Sequence, residues 1–410
     1  MSRKPAARLR SKTQPPPSQR TIRVNAKQTA HGLTRDLNRD LVLEVLRRNQ
    51  PISRVSIASI SGLQRSTVSA IIDGLIREKW ISEGPTVQTA RGRRPTMLTM
   101  NDDLMILVAD VRPTQTTLAV IDLNGRFVSR SLIPYFKDPK RGVQALAEGL
   151  QTLRKQLPGK TFEGVGLSMP GRVDLRSQKL SFAPNLPWVG YDIRNDLQDR
   201  LGLQVELENA ANACLLSELW FGRLDGIRNA VLITISEGVG AAILVNGGLV
   251  EGADGFAGEL GHVMISETGP KCACGEVGCW EVFASTRAAL RYFHELEPKE
   301  NVSTFQQLMS LEANGNKSAR TALLTQAKAI GRGLRIGTAA LNPEIILFAG
   351  DLTLRWDLVG PVIEAEVATR MLSGSTPKVV ALGDSESARL RGAAALVLRR
   401  HDGYQRLTSA

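Results

Sequence analysis

Residues 257–281 read AGELGHVMISETGPKCACGEVGCWE, a stretch that gathers His262, Cys272, Cys274 and Cys279 into one compact segment. Three soft thiolates and one imidazole make a four-ligand set that suits tetrahedral zinc, with no position left open for catalysis. Cys-x-Cys places two thiolates on one turn, and the glycines of Cys-Gly-x-x-Gly-Cys let the third fold back. A closed, structural zinc site is therefore expected; the alternative is a set of unligated thiols in a glycine-rich loop. Cysteines committed to a metal fit a reducing compartment better than an oxidising one. The same segment carries Glu259, three residues before His262, and Glu281, two residues after Cys279. Carboxylates accept hydrogen bonds from sugar hydroxyls, and a metal-bound imidazole still has its second nitrogen to offer, so a polyol-binding rim beside the metal is one reading and two carboxylates that simply face solvent the other.

Working outward, the 410 residues suffice for two or three domains, each with its own core. No run of about eighteen apolar residues occurs, and the N-terminus lacks the apolar core of a secretory signal, which predicts a cytoplasmic protein without a membrane span. Charge is distributed unevenly. The first thirty residues hold eight Lys/Arg and no acid, and the first hundred hold nineteen Lys/Arg against six Asp/Glu. That end thus carries +13 of a chain whose total is +12, leaving the remaining 310 residues near neutral. A basic module joined to a neutral body is the electrostatic footprint of a nucleic-acid-binding head on a domain that does something else.

Residues 1–33 combine Pro, Gln, Ser and Lys/Arg with few apolar groups, a composition that predicts a disordered basic arm. From residue 34 the pattern changes. Leu37, Leu41, Val42, Val45 and Leu46 recur at helical spacing; a second helix begins at a Ser53 cap with Ile57, Ala58 and Ile60 as its apolar positions; Gly62 makes a turn. A third helix, with Val68, Ile71, Ile72, Leu75 and Ile76 facing inward, follows from about residue 64 to 79. Three short helices with a tight turn before the third predict a helix-turn-helix. Gln64, Arg65, Ser66, Thr67 and Ser69 crowd the first turn of its recognition helix, where base edges and phosphates are met. A hairpin then closes around residues 80–100, and its loop holds Arg91, Arg93 and Arg94, placed to lie along phosphates or enter a minor groove as a wing.

Ala-Gly-Glu-x-Gly-His at 257–262, followed by Cys-x-Cys-Gly-x-x-Gly-Cys-x-Glu at 272–281, resembles the signature of the ROK family of repressors, open reading frames and sugar kinases. The helical head followed by Gly-Arg-Arg-Pro resembles the DNA-binding head of the ROK repressors in particular. The resemblance implies an α/β protein with an N-terminal winged helix-turn-helix, then a two-lobed actin-like ATPase (ribonuclease H-like) fold with a structural zinc site. Strands over 104–111, 115–122 and 127–133, a helix over 142–157 and a strand over 164–168 match half of that fold. A strand over 231–235, a hairpin near 246–248, a helical stretch over 285–341, a strand over 345–348 and a helix over 387–400 complete the other half. The expected boundaries are 1–33 for the arm, 34–100 for the DNA-binding domain, 101–228 for the first lobe, 229–385 for the second lobe with the zinc site, and 386–410 for a C-terminal helix packing back on the first lobe.

The kinases of that family need three parts, each altered here. The first phosphate loop, Asp-x-Gly-x-Thr in the family, is Asp110-Val111-Arg112-Pro113-Thr114, where Arg112 obstructs a close backbone approach and Pro113 removes a donor. The second, Gly-Thr-Gly-x-Gly, is Ser236-Glu237-Gly238-Val239-Gly240, which sets a carboxylate where phosphate oxygens need donors. The family motif Glu-Asn-Asp-Ala-Asn supplies the general base, yet the chain has Glu208-Asn209-Ala210-Ala211-Asn212. Loss of a positioned base costs on the order of 10²- to 10⁴-fold in rate. No catalytic residue is therefore expected. Gly171, Asn185, Asn209, Glu259, His262 and Glu281 do match the family's sugar-facing pattern, which implies an effector site without chemistry. The combined expectation is a zinc-containing regulator, a repressor by family analogy, that binds operator DNA and a sugar or sugar derivative as a homodimer or homotetramer. The alternatives are an active ROK sugar kinase with an accessory head, and a regulator triggered by a protein partner.

Overall fold

The computed structural model describes residues 26–86, 95–174, 176–222, 224, 226–369 and 376–399. The head comprises α1 (Ala26–Asn49), β1 (Ile52–Ser53), α2 (Arg54–Ser61), α3 (Arg65–Arg77), β2 (Ile81–Thr86) and β3 (Thr96–Met100), with an antiparallel sheet in the order β1-β3-β2. Local chemistry sets the bounds of α2. Ser53 Oγ accepts from the Ser56 amide at 3.1 Å, and Gly62 ends the helix at φ 70°, a left-handed cap that glycine adopts without a Cβ penalty. Val42 and Leu46 of α1, Ile57 of α2, Val68, Ile72 and Leu75 of α3, and Trp80 and Leu98 of the hairpin are buried together. Arg54 bridges Asp73 at 2.6 Å and Glu83 at 3.0 Å, tying α2 to α3 and to β2.

Two expectations are corrected in the head. Residues 26–33, read as the end of a disordered arm, belong to α1; AKQTA is made largely of good helix formers, and Pro51 is the first proline after Pro17. Ile60, expected to face inward, is 56% exposed, the α2 contact with the core being made by Ile57 and Ala58. The arm's residues 1–25 and the loop holding Arg91, Arg93 and Arg94 lie outside the described residues.

The first lobe runs β4 (Leu104–Val111), β5 (Gln115–Asp122), β6 (Phe127–Pro134), α4 (Pro139–Lys155), β7 (Thr161–Met169), β8 (Arg172–Asp174), β9 (Lys179–Phe182), α5 (Ile193–Leu201), β10 (Val205–Asn209) and α6 (Ala210–Phe221). The second runs β11 (Ala230–Ile235), β12 (Val239–Val245), β13 (Gly248–Leu249), a 3-10 turn Leu260–His262, α7 (Glu281–Ala284), α8 (Thr286–Leu296), α9 (Phe305–Ala313), α10 (Lys317–Leu341), β14 (Ile345–Gly350), α11 (Trp356–Ala368), β15 (Lys378–Ala381) and α12 (Ser385–Arg399). Their five-stranded sheets have the same plan. In β10-β7-β4-β5-β6 and in β13-β12-β11-β14-β15, three strands form an antiparallel meander and two add in parallel through helical crossovers. The central strand β4 reads LMILVADV and is buried along its whole length, as a strand covered on both faces must be, whereas the edge strand β6 alternates between half-buried and exposed.

Helix α12 returns from the second lobe to pack on α6, β4 and β7. The approach is close enough to require glycine at two points. A Cβ on Gly392 would fall 1.7 Å from the Ala213 carbonyl oxygen, and one on Gly166 would fall 1.9 Å from that of Ala393. Leu390, Ala393, Ala394, Val397 and Leu398 of α12 join Ile106, Val108 and Ile121 in the same apolar cluster as the head's own core, so head and first lobe share one continuous interior. The seam is polar as well. Gln50 donates to Asn124 Oδ1 at 2.7 Å while accepting from the Met100 amide at 2.8 Å, and the Arg47 guanidinium lies 5.4 Å from the centre of the Phe221 ring.

Candidate functional site: a thiolate and imidazole cluster at the boundary between the lobes

The 3-10 turn after β13 delivers His262, and a small paired loop delivers the cysteines. Met264 bridges to Cys279 and Lys271 to Val277 in antiparallel sense, and the Cys272 and Gly275 amides close a tight turn onto Glu276 O at 2.8 Å and Cys272 O at 3.0 Å. The donor atoms of His262, Cys272, Cys274 and Cys279 all lie within 4.8 Å of one another. Cys272 Sγ is 3.5 Å from His262 Nδ1, and Cys274 Sγ is 3.7 Å from Cys279 Sγ. Tetrahedral zinc with bonds of about 2.3 Å to sulfur and about 2.0 Å to nitrogen has edges of about 3.5–3.8 Å, so the donor set fits the ion. Burial, with the neighbouring thiols, pushes Cys279 up to about 12. The fourth cysteine stands apart: Cys214 is buried in α6, so the chain's cysteines are not all committed to this cluster.

Beside the cluster, residues of the two lobes meet. His262 presents Nδ1 to Cys272 and Nε2 to Glu259 Oε2 at 3.6 Å. The two ring nitrogens thus face the cluster and the Glu259 carboxylate respectively. Glu259 Oε2 also accepts from Arg172 of β8 at 2.9 Å, and the Arg172 guanidinium rests over Phe182 and Phe256 at 5.0 and 5.9 Å. Asn185 reaches from the first lobe to Glu237 Oε2 on the β11–β12 turn at 2.9 Å. Gly171 has φ 88° and would, with a Cβ, lie 2.0 Å from Phe182 O, which explains the glycine beside Arg172.

The remaining two of the six expected effector residues are engaged within the protein. Asn209 caps α6 by accepting from the Asn212 amide at 2.9 Å. Glu281, 12% exposed, accepts from the Val239 amide at 3.0 Å and lies 3.7 Å from Arg287 and 3.8 Å from Cys272 Sγ. It braces the β11–β12 turn against the cluster. Arg172 and Glu237 are the side chains at this boundary that spacing did not single out as ligand-facing; contacts across 87 and 52 residues leave no local signal.

The altered kinase positions also have locations. Ala210 is the first residue of α6, directly after Asn209. Asp110, 1% exposed at the end of β4, accepts from Ser168 at 3.0 Å and from Arg389 Nε of α12 at 2.8 Å. Burial works against the Arg389 charge, but the Asp110 carboxylate outweighs it and raises the pKa. In the head, Gln64, Arg65 and Ser66 are exposed at the start of α3, while Thr67 and Ser69 are half-buried.

A duplicated sheet plan with a His/Cys3 cluster at the boundary of its lobes defines an actin-like ATPase-type α/β protein of the ROK class. The chain belongs to the ROK family, whose pattern it matches over residues 108–400. It is 30% identical to a xylose repressor of Bacillus subtilis over 88% of this chain and 95% of that one. Among solved structures it is similar to a ROK family transcriptional regulator described as a homolog of the E. coli MLC protein, with a TM-score of 0.78 and 26% identity over 92% of this chain and 98% of that one. A ROK family glucokinase from Streptomyces griseus, in complex with glucose and AMPPNP, aligns with a TM-score of 0.65 and 26% identity over 71% of this chain and 98% of that one. The family therefore holds enzymes as well as regulators. Among the described residues no helix is long and apolar enough to cross a membrane.

Proposed function

We propose that this protein is a sugar-responsive, DNA-binding transcriptional repressor whose kinase-like body binds a sugar or sugar derivative without phosphorylating it. The observation that carries the reading is the contrast at the lobe boundary. Ala210 stands where a base would be needed, and Asp110 is paired with Arg389, while His262 stays beside Glu259 and Asn185 reaches across the lobes to Glu237. The head has the element order of a winged helix-turn-helix, and α3 serves as its recognition helix with Gln64, Arg65 and Ser66 exposed and Thr67 and Ser69 beside them; Arg91, Arg93 and Arg94, outside the described residues, supply the cations of a wing in this reading. Similarity to a named repressor over most of both chains supports it.

His262, Cys272, Cys274 and Cys279 would hold zinc. A closed four-ligand zinc supplies rigidity: it fixes the loop that presents His262 and Glu259, and leaves the sugar to the side chains. Glu259 accepts from sugar hydroxyls, His262 orients it, and Asn185 and Asn209 add amide contacts, with Gly171 and Glu281 shaping the walls. Helix α6 links this site to the head, since its first turn follows Asn209 and its last residue, Phe221, lies under Arg47 of α1. Sugar binding shifts α6 and α12 together and changes the spacing of two heads in a homodimer or homotetramer on a palindromic operator.

The test is a gel-shift titration with duplexes from the promoter region of the chain's own gene, with and without a panel of monosaccharides, alongside a coupled ATPase assay. Sugar-dependent release without turnover is expected. Robust phosphoryl transfer in the ATPase assay would overturn the reading in favour of an active sugar kinase, and release by a protein partner but by no sugar would move the trigger elsewhere.

A further inference from the structure

The β11–β12 turn, residues 236–238, has two features that act in the same direction. The amide that follows it is already in use: the Val239 amide donates to Glu281 Oε2 at 3.0 Å, and a Cβ on Gly238 would lie 2.6 Å from that same oxygen. An internal carboxylate thus occupies the amide at the end of the turn, one that an outside anion could otherwise use. The turn also adds a charge of its own. Glu237 is exposed and reaches across to Asn185, a neutral amide, with no ion pair among the described residues. The cations nearby already have partners other than the Glu237 carboxylate. Arg287 donates to the Glu237 carbonyl oxygen at 2.7 Å and lies 3.7 Å from Glu281, while Arg172 is paired with Glu259 at 2.9 Å.

From these contacts we infer that Glu237 makes the effector pocket selective for an uncharged sugar and excludes its phosphate esters. This rests on the effector reading given above. Glu237 and Glu259 both accept hydrogen bonds, so a neutral polyol satisfies them by donating hydroxyls, with Asn185 released from Glu237 to bond the same sugar. A phosphate ester meets an occupied amide and an unpaired carboxylate, and like charges brought together disfavour the complex. Because Glu237 is exposed, salt weakens the discrimination.

Calorimetry on the full chain tests this, using xylose, glucose and N-acetylglucosamine together with xylose 5-phosphate, glucose 6-phosphate and N-acetylglucosamine 6-phosphate. At least one neutral sugar should bind, its ester should bind about tenfold more weakly or worse, and the gap should widen at low salt. Glu237→Gln, a substitution on an exposed turn whose folding is checked by its melting temperature, should narrow the ratio by about tenfold. An ester that binds as tightly as its parent sugar, or a ratio unchanged in Glu237→Gln, overturns the inference and leaves the effector reading standing. Absence of heat from all six compounds overturns the effector reading, and this inference with it.

Discussion

Glu208 sits one residue from the end of β10, buried, and accepts from the Asn209 amide at 2.7 Å and from Asn212 Nδ2 at 3.1 Å. Burial outweighs those bonds and raises its pKa from 4.5 to about 7, with Glu251 adding to the rise and Arg399 opposing it. A carboxyl whose folded pKa is raised binds its proton more tightly when folded. Its contribution is therefore favourable below the unfolded value and lost as pH rises toward the folded one, up to about 3 kcal/mol over that window. Glu208→Gln should flatten the decline of melting temperature between about pH 4.5 and pH 7; an unaltered slope would show that another group titrates there. For the cluster, Cys279→Ser should abolish one equivalent of zinc measured by elemental analysis and lower stability by about 3 kcal/mol or more. The cluster was legible because its ligands are close in sequence and their spacing encodes the turn. The Asp110–Arg389 pair was not, since nothing local in either stretch announces a partner 279 residues away.

At the scale of elements, strands with β-branched runs and helices with a clear polar face could be read with bounds a few residues off. Strand β11 spans Ala230–Ile235 against the expected 231–235, and α4 spans Pro139–Lys155 against 142–157. Helix α6 went unassigned because AANACLLSELWF has no polar face to reveal its period, residues 211–217 being buried all round. Strand β15 and helix α11 were missed for a related reason: a four-residue apolar run and a helix interrupted by Pro361 give weak periodic signals. The contact of α6 with α12 is also where the fold tolerates least change. Gly392→Ala must push the two helices apart, because the obstructing atom is a backbone oxygen and cannot rotate away. A loss of about 3 kcal/mol is expected in the denaturant midpoint, above the range for an ordinary exposed helix substitution; a change under about 0.5 kcal/mol would show that the helices separate freely.

For the whole molecule, charge divides the sequence near residue 100 as composition, but that point is not a structural gap. The interior runs through it, from Leu98 and Met100 to Leu104 and Ile106. That continuity argues that head and sugar site act on one another through packing. Phe221→Ala, which removes the ring between Arg47 and the Gly125 turn, should leave operator affinity and sugar affinity each within about threefold while reducing sugar-induced release by about fivefold or more. Full release by the variant in a gel-shift titration would place the coupling in another element.

The route of α12 has a consequence for how the protein is made. Leu390, Val397 and Leu398, which complete the interior beneath the head, are among the last described residues to leave the ribosome. A nascent or prematurely terminated chain ending before Ser385 would expose the underside of its reader as unpaired apolar surface. Such truncated products carry apolar surface that favours aggregation over a folded head.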